Sequence, residues 1–157
     1  MPPAFLFDLG SIDLNTVLFG PEEIRLSNPQ RGDMEHLNAI VWSDPTKGRI
    51  LGYKDVKADE FWVPGHIPGR PLFPGVLMIE AAAQLACFYT KRYEGWQGFI
   101  GFGGANDIRF RQAVTPGKRL YMLAEKQWAR HKRIESKVQG IVDGQLAFEA
   151  TIVGTQM

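Results

Sequence analysis

The chain has 157 residues, 45% of them hydrophobic and 22% charged, with 18 basic and 17 acidic side chains and a formal net charge of +1. That length suits a single domain over 1–157 with a real core, and so even a charge balance gives no bias toward nucleic acid or a membrane surface. One cysteine, Cys87, excludes an internal disulfide and a multi-cysteine metal site, and fits a buried free thiol in a reducing, cytoplasmic setting.

In chain order, "MPPAFLFDLGS" lacks a basic start and breaks its apolar run at Asp8, so no targeting segment is expected. Residues 1–33 read as an adaptable, partly ordered arm whose one short helix, Pro21 to Leu26, starts on proline followed by acids. Next, "LNAIVWSD" and "RILGYKDVK" are two β-branched and aromatic runs joined by "PTKG", which predicts a hairpin. A helix opening on Pro74 and running from Gly75 to about Arg92 follows a proline- and glycine-rich stretch. Then "GFIGFGGA" and "NDIRFRQAV" form one long bent strand or two short ones, with the glycines marking a bulge or a close approach. Past Pro116-Gly117, "KRLYMLAEKQW", the alternating "RIESKVQGIV" and "LAFEATIV" predict an antiparallel meander, with Asp143-Gly144 as a two-residue hairpin turn. No apolar run reaches the roughly 20 residues of a membrane span. The predicted helix is apolar nearly all round, so the sheet must wrap it, and the expected fold is α+β, an antiparallel sheet around one central helix.

That helix carries only two polar side chains before Thr90, Glu80 and Gln84, one turn apart and therefore on one face. An ionised carboxylate is costly to bury alone, so Glu80 must have partners, border a cavity or stay protonated. His66 lies just upstream in "PGHIPGRP", a turn pinned by Gly65, Pro68, Gly69 and Pro71. An imidazole base, a helix start at Gly75 with free N–H groups and a carboxylic acid in apolar surroundings make up what eliminating a β-hydroxyl from an acyl thioester requires.

"GHIPGRPLFPGVLMIEAAAQ" closely resembles the signature of the hot-dog 3-hydroxyacyl-acyl-carrier-protein dehydratases, the FabZ-like enzymes of bacterial type II fatty acid synthesis. The matching positions are Gly65, His66, Pro68, Pro71, Pro74, Gly75, Val76, Glu80, Ala81, Ala83 and Gln84. The similarity continues more weakly through "FGGANDIRFRQAVTPG" to "FEATI", covering about 50 to 154. The resemblance implies a hot-dog fold and a catalytic His66 and Glu80 from different subunits of a homodimer, often with three dimers in a ring. It also implies that the Gly75 N–H polarises the thioester carbonyl and that Gln84 holds Glu80 or its water. Ile67, Val76, Phe102 and Gly103 are expected beside the acyl chain. The substrate is an acyl chain on the phosphopantetheine arm of acyl carrier protein, with no metal or redox cofactor.

Two departures stand out: Ile67 replaces the family's phenylalanine, and its Pro-His-Arg-x-Pro-Phe motif survives only as Pro29, Gln30 and Arg31 before "GDMEHL". The residues leave open whether His66 and Glu80 divide the proton transfers or His66 works alone while Glu80 holds the water. A thioesterase on the same fold and a non-catalytic acyl-binding paralogue are the alternatives. "GFIGFGG" lacks dinucleotide-binding spacing, no serine has a nucleophile-elbow context, and His36 and His131 lack metal-ligand spacing and are expected at the surface. Arg109, Arg111, Lys118, Arg119, Arg130, Lys132 and Arg133 give the C-terminal half a basic bias, a solvated face or a docking surface for an acidic carrier rather than for nucleic acid.

Overall fold

The two β-branched runs do fold back on each other. β1 (Ala39–Asp44) and β2 (Arg49–Asp55) pair antiparallel, and a single 3-10 turn at Pro45–Lys47 closes on Gly48 at φ 70°. The computed structural model describes residues 4–157 and places α1 (Pro21–Ser27) ahead of this hairpin and α2 (Gly75–Tyr93) after it. Four longer strands follow: β3 (Ile100–Phe110), β4 (Arg119–Arg130), β5 (Arg133–Val142) and β6 (Gln145–Gln156). All pairings are antiparallel, in the spatial order β1-β2-β4-β5-β6-β3. The turn at Asp143 and Gly144 has φ of 50° and 74°, the left-handed pair whose twist matches the flanking strands.

The strands' period of two decides what each face buries. On β4, Leu120, Met122 and Ala124 point at α2, where they meet Met78, Ala81, Leu85 and Phe88, with Val138, Phe148 and Ile152 from the neighbouring strands. Between them Leu123 points the other way, into a second cluster with Val41, Leu51, Ile141 and Leu146. The sheet thus wraps the helix, as α2's apolar surface predicts, in the hot-dog manner that the resemblance implies.

Where the sequence predicted a partly ordered arm, residues 4–14 lie along the outer face of the sheet. Phe7 is buried there among Leu6, Leu9, Ile12 and Leu14. Gln139 clamps this segment, accepting from Leu6 N–H at 2.8 Å and donating to the Ala4 carbonyl at 3.0 Å. Covering the outer face lets both faces of the central strands be apolar. Smaller differences concern ends: Pro74 flanks α2 rather than starting it, and β1 begins at Ala39. β3 is one strand whose register breaks twice, between Phe102 and Gly104 and between Asn106 and Arg109.

Gly140 marks a close approach in the core. A Cβ there would sit 2.3 Å from the Phe148 ring and 3.0 Å from Leu120 Cδ1. Gly140→Ala therefore overpacks the helix-facing layer and should cost about 1–3 kcal/mol, read as a lower denaturant midpoint at unchanged slope.

Candidate active site

The proline- and glycine-rich loop between β2 and α2 fixes His66 by its backbone and its ring. His66 N–H donates to the Trp62 carbonyl at 2.9 Å, and ring Nδ1 lies 2.9 Å from the Leu72 carbonyl. A carbonyl only accepts, so Nδ1 carries the proton, which leaves Nε2 as the nitrogen that can act as a base. The side chain is exposed and shares an open cleft with Phe73, Gly75, Val76, Met78 and Phe110. The start of α2 lies in this cleft. Leu77 and Met78 N–H both bond the Pro74 carbonyl, while Gly75 and Val76 N–H meet no backbone acceptor among the described residues. These are the free donors a helix N-terminus offers to developing negative charge. A Cβ at Gly75 would come within 2.8 Å of the Phe110 ring, so a larger residue there would displace that half-exposed ring.

One turn further along α2, Glu80 is held by Gln84. The Gln84 amide is almost fully buried and uses its whole hydrogen-bonding capacity. Its Nε2 donates to Glu80 Oε1 at 3.0 Å and to the Met34 carbonyl at 2.7 Å, while its Oε1 accepts from His36 N–H at 2.9 Å and Leu37 N–H at 3.1 Å. Behind it, Asn28 Nδ2 donates to the Gln84 carbonyl at 2.9 Å. One side chain thus ties the segment before β1 to the helix and aims the carboxylate. Glu80 opens on a mainly apolar cavity of about 190 Å³, with Ala83, Cys87 and Thr90 on the helix side and Phe102, Ile134 and Ile152 on the sheet side. From Glu80 to Thr90 this helix face runs about 15 Å.

His66, Gly75 and Val76 therefore share one opening, and Glu80 and Phe102 share another, with Gln84 bracing Glu80 from behind. Ile67 is at the surface and lines neither, and Gly103 is turned against Thr155, where a Cβ would be 2.5 Å from the hydroxyl. Cys87 is half-buried rather than fully buried, and burial pushes its thiol up to about 11, which leaves it protonated and non-nucleophilic. Among the described residues no cluster of His, Cys, Asp or Glu is placed to hold a metal, and no helix is long and apolar enough to cross a membrane.

His36 departs from expectation. The polar run "GDMEHL" predicted a surface residue, yet His36 is fully buried with both ring nitrogens unpartnered, packed near Phe61 and Phe73. Only its main-chain bond to Gln84 explains this, a tertiary cause with no local signal. Burial first, then the nearby Lys54 ammonium, push its pKa down to about 4 against the opposing pull of Glu60. A base held neutral in the fold gives stability that is full above about pH 6.5, where the unfolded chain is neutral too, and is lost as pH falls toward about 4. The expected loss across that window is on the order of 3 kcal/mol, and His36→Leu should flatten it in denaturation curves taken at each pH.

Residues 28–151 match a family model described as a FabA-like domain. The 3-hydroxyacyl-acyl-carrier-protein dehydratase FabZ of Acetivibrio thermocellus is 36% identical over 131 residues, 83% of this chain and 89% of that protein. The FabZ of Clostridium botulinum is 38% identical over 132 residues, 83% and 91% of the respective chains. Among solved structures, the dehydratase heterocomplex ApeI:P of Xenorhabdus doucetiae superimposes with a TM-score of 0.71 at 16% identity, over 85% of this chain and 90% of that one. A sigma28-regulated virulence protein of Campylobacter jejuni does so with 0.65 at 17%, over 85% and 95%. These two likenesses are of fold.

Proposed function

Since this chain belongs to the FabA-like family of FabZ-type dehydratases, we propose that it removes water from (3R)-hydroxyacyl chains on acyl carrier protein, giving trans-2-enoyl chains for fatty acid or related lipid synthesis. The observation that carries the residue assignment is the Glu80 carboxyl, held at 3.0 Å by a fully bonded Gln84 at the wall of an apolar cavity.

In the proposed step, His66 Nε2 takes the α-proton, and the Gly75 and Val76 N–H groups receive the charge that develops on the thioester oxygen. The Cβ–O bond then breaks with its electron pair on oxygen, the carbon–carbon double bond forms, and Glu80 supplies the proton that makes the leaving group water. A net proton has moved from Glu80 to His66, and the two re-equilibrate through solvent. No metal or redox partner enters this balance.

The two residues open on separate cavities of one chain, which supports a site completed by a second copy. β3 supports a homodimer: it is an edge strand of 11 residues whose backbone is unpaired on one side, with Phe102 and Phe110 each 51% exposed. Bare apolar edges of this kind are pairing surfaces. The opposite edge, β1, is instead capped by a bridge from Phe19 to Ile40. Pairing at β3 would bring a partner's His66 toward the Glu80 cavity. Three such dimers in a ring and a cytoplasmic location are part of this reading.

Of the basic residues, Arg111, Lys118 and Arg119 pair with Glu149, Asp143 and Asp55, while Arg109, Lys132 and Arg133 have no acidic partner among the described residues. The latter group is the better candidate for attracting an acidic carrier protein, an attraction that weakens with salt.

The test is hydration of a trans-2-enoyl thioester by purified protein, followed by loss of the conjugated absorbance, with loss expected on a carrier-bound chain. Release of free thiol would assign a thioesterase instead. No turnover on short or long chains would leave an acyl-binding paralogue.

A further inference from the structure

The Glu80 cavity adjoins an open pocket of about 320 Å³ whose walls include Arg25, Arg31 and Lys91 and, among the described residues, no acidic side chain. The two spaces meet on three elements. Phe99 and Ile100 line both, Thr90 of the cavity precedes Lys91 of the pocket, and Gln30 of the cavity lies between Pro29 and Arg31 of the pocket. Thr90 and Lys91 stand near the end of α2 farther from Glu80, so a chain laid along that helix face finishes beside the pocket.

Two of its three cations are already engaged. Arg25 pairs with Glu35 through two nitrogens, and Arg31 donates to the Asn28, Gln30 and Arg25 carbonyls. Lys91 is half-buried and forms no ion pair among the described residues. It lies close enough to Cys87, in the cavity wall, to pull that thiol's pKa down against the larger effect of burial. A lysine in the last turn of a helix also complements the helix dipole, a role that Arg92 shares while sitting over the Phe19 ring at 4.9 Å. That role involves no pocket and no ligand.

In the proposed reaction the 3-hydroxyl carbon meets Glu80, and the rest of the acyl chain extends into the cavity. Glu80 to Lys91 spans about 16 Å of helix, and an extended chain advances about 1.2 Å per bond, so a chain of roughly eight to twelve bonds beyond that carbon reaches Lys91. A methyl end gains nothing from an ammonium. A carboxylate end gains a charge-assisted hydrogen bond, and because the pocket is open it keeps part of its hydration and avoids the cost of full burial.

We propose that Lys91 is a specificity-determining residue, and that the chains this protein dehydrates include ones ending in a carboxylate, which Lys91 binds just beyond the acyl cavity. This rests on the dehydratase reading.

The test pairs two ligands that differ only at the chain end. In a His66→Ala background, where ligand is not turned over, calorimetry at low salt compares a (3R)-hydroxyacyl-pantetheine ending in a carboxylate with the same molecule ending in the neutral carboxamide. The carboxylate should bind roughly three- to tenfold more tightly, a preference that shrinks as salt is added. Lys91→Met should abolish the preference by weakening the carboxylate ligand alone, and Lys91→Arg should keep most of it. A helix-dipole role would move stability and leave the preference intact. With His66 restored, Lys91→Met should raise KM for the carboxylate-ended chain with little change in kcat. Absence of turnover in the parent protein on every chain would sink the dehydratase reading, while the ligand comparison still reports on Lys91. Equal affinity for the two ligands in the parent, a preference that survives Lys91→Met, or an equal loss for both ligands overturns the proposal. So does a Lys91→Met defect seen only with carrier-bound chains and equal for both ends, which would assign the pocket to the carrier protein.

Discussion

His66→Ala and Glu80→Gln should each lower dehydration by roughly 10²–10⁴-fold, the range expected when a positioned acid or base is removed. Neither change should disturb folding. The His66 ring is exposed and makes one bond, to the Leu72 carbonyl, while Glu80→Gln keeps an oxygen to accept from Gln84. Circular dichroism and sedimentation should therefore match the parent protein. The more informative result comes from mixing. Neither variant chain holds both groups, but a hybrid dimer whose sites cross the interface has one site with both intact and one with neither. Random pairing makes half the dimers hybrids, so co-expressed variants should recover about a quarter of the parent rate. No recovery above either single variant would place His66 and Glu80 of one chain in the same site and remove the reason for a shared active site. Recovery that vanishes on dilution to the monomer would confirm that the interface assembles the site.

Much of this was readable before any coordinates. The α2 boundaries, the Asp143-Gly144 hairpin and the strand after it follow from local rules, because capping chemistry, left-handed turn residues and period-two burial act within a few residues. The pairing of Glu80 with Gln84 was legible for the same reason, being a contact between positions four apart on a helix. What sequence could not give is set by long-range contacts. His36 sits in a polar run, and only the Gln84 side chain, 48 residues later, draws its backbone inside. The arm's path over the outer face depends on Gln139, 133 residues after Leu6. Gln30 registered only as a departure from a motif. That its amide oxygen is buried and unpartnered among the described residues is a property of packing.

Gln84→Leu should be the most damaging single change away from the reacting groups, costing roughly 3–5 kcal/mol of stability and most of the activity together. The side chain fits by volume, so the loss is not a cavity effect. It comes from three main-chain groups left without their partner, the buried His36 and Leu37 N–H and the part-buried Met34 carbonyl, where each unmade bond in the interior costs about 1–3 kcal/mol. The segment carrying Gln30 and His36 would loosen from the helix, and Glu80 would lose the donor at 3.0 Å that aims it. Gln84→Glu separates these roles. Its carboxylate still accepts from both N–H groups but cannot donate to Met34 or Glu80, and it sets a second carboxyl group one turn from Glu80. It should lie between the parent and Gln84→Leu in denaturant midpoint, while its pH–rate profile moves because the two carboxyls now share a site. If Gln84→Leu fails to fold, that profile carries the test alone. Parent-like stability and rate in both variants would mean that the clamp observed around Gln84 neither holds the fold nor sets the acid.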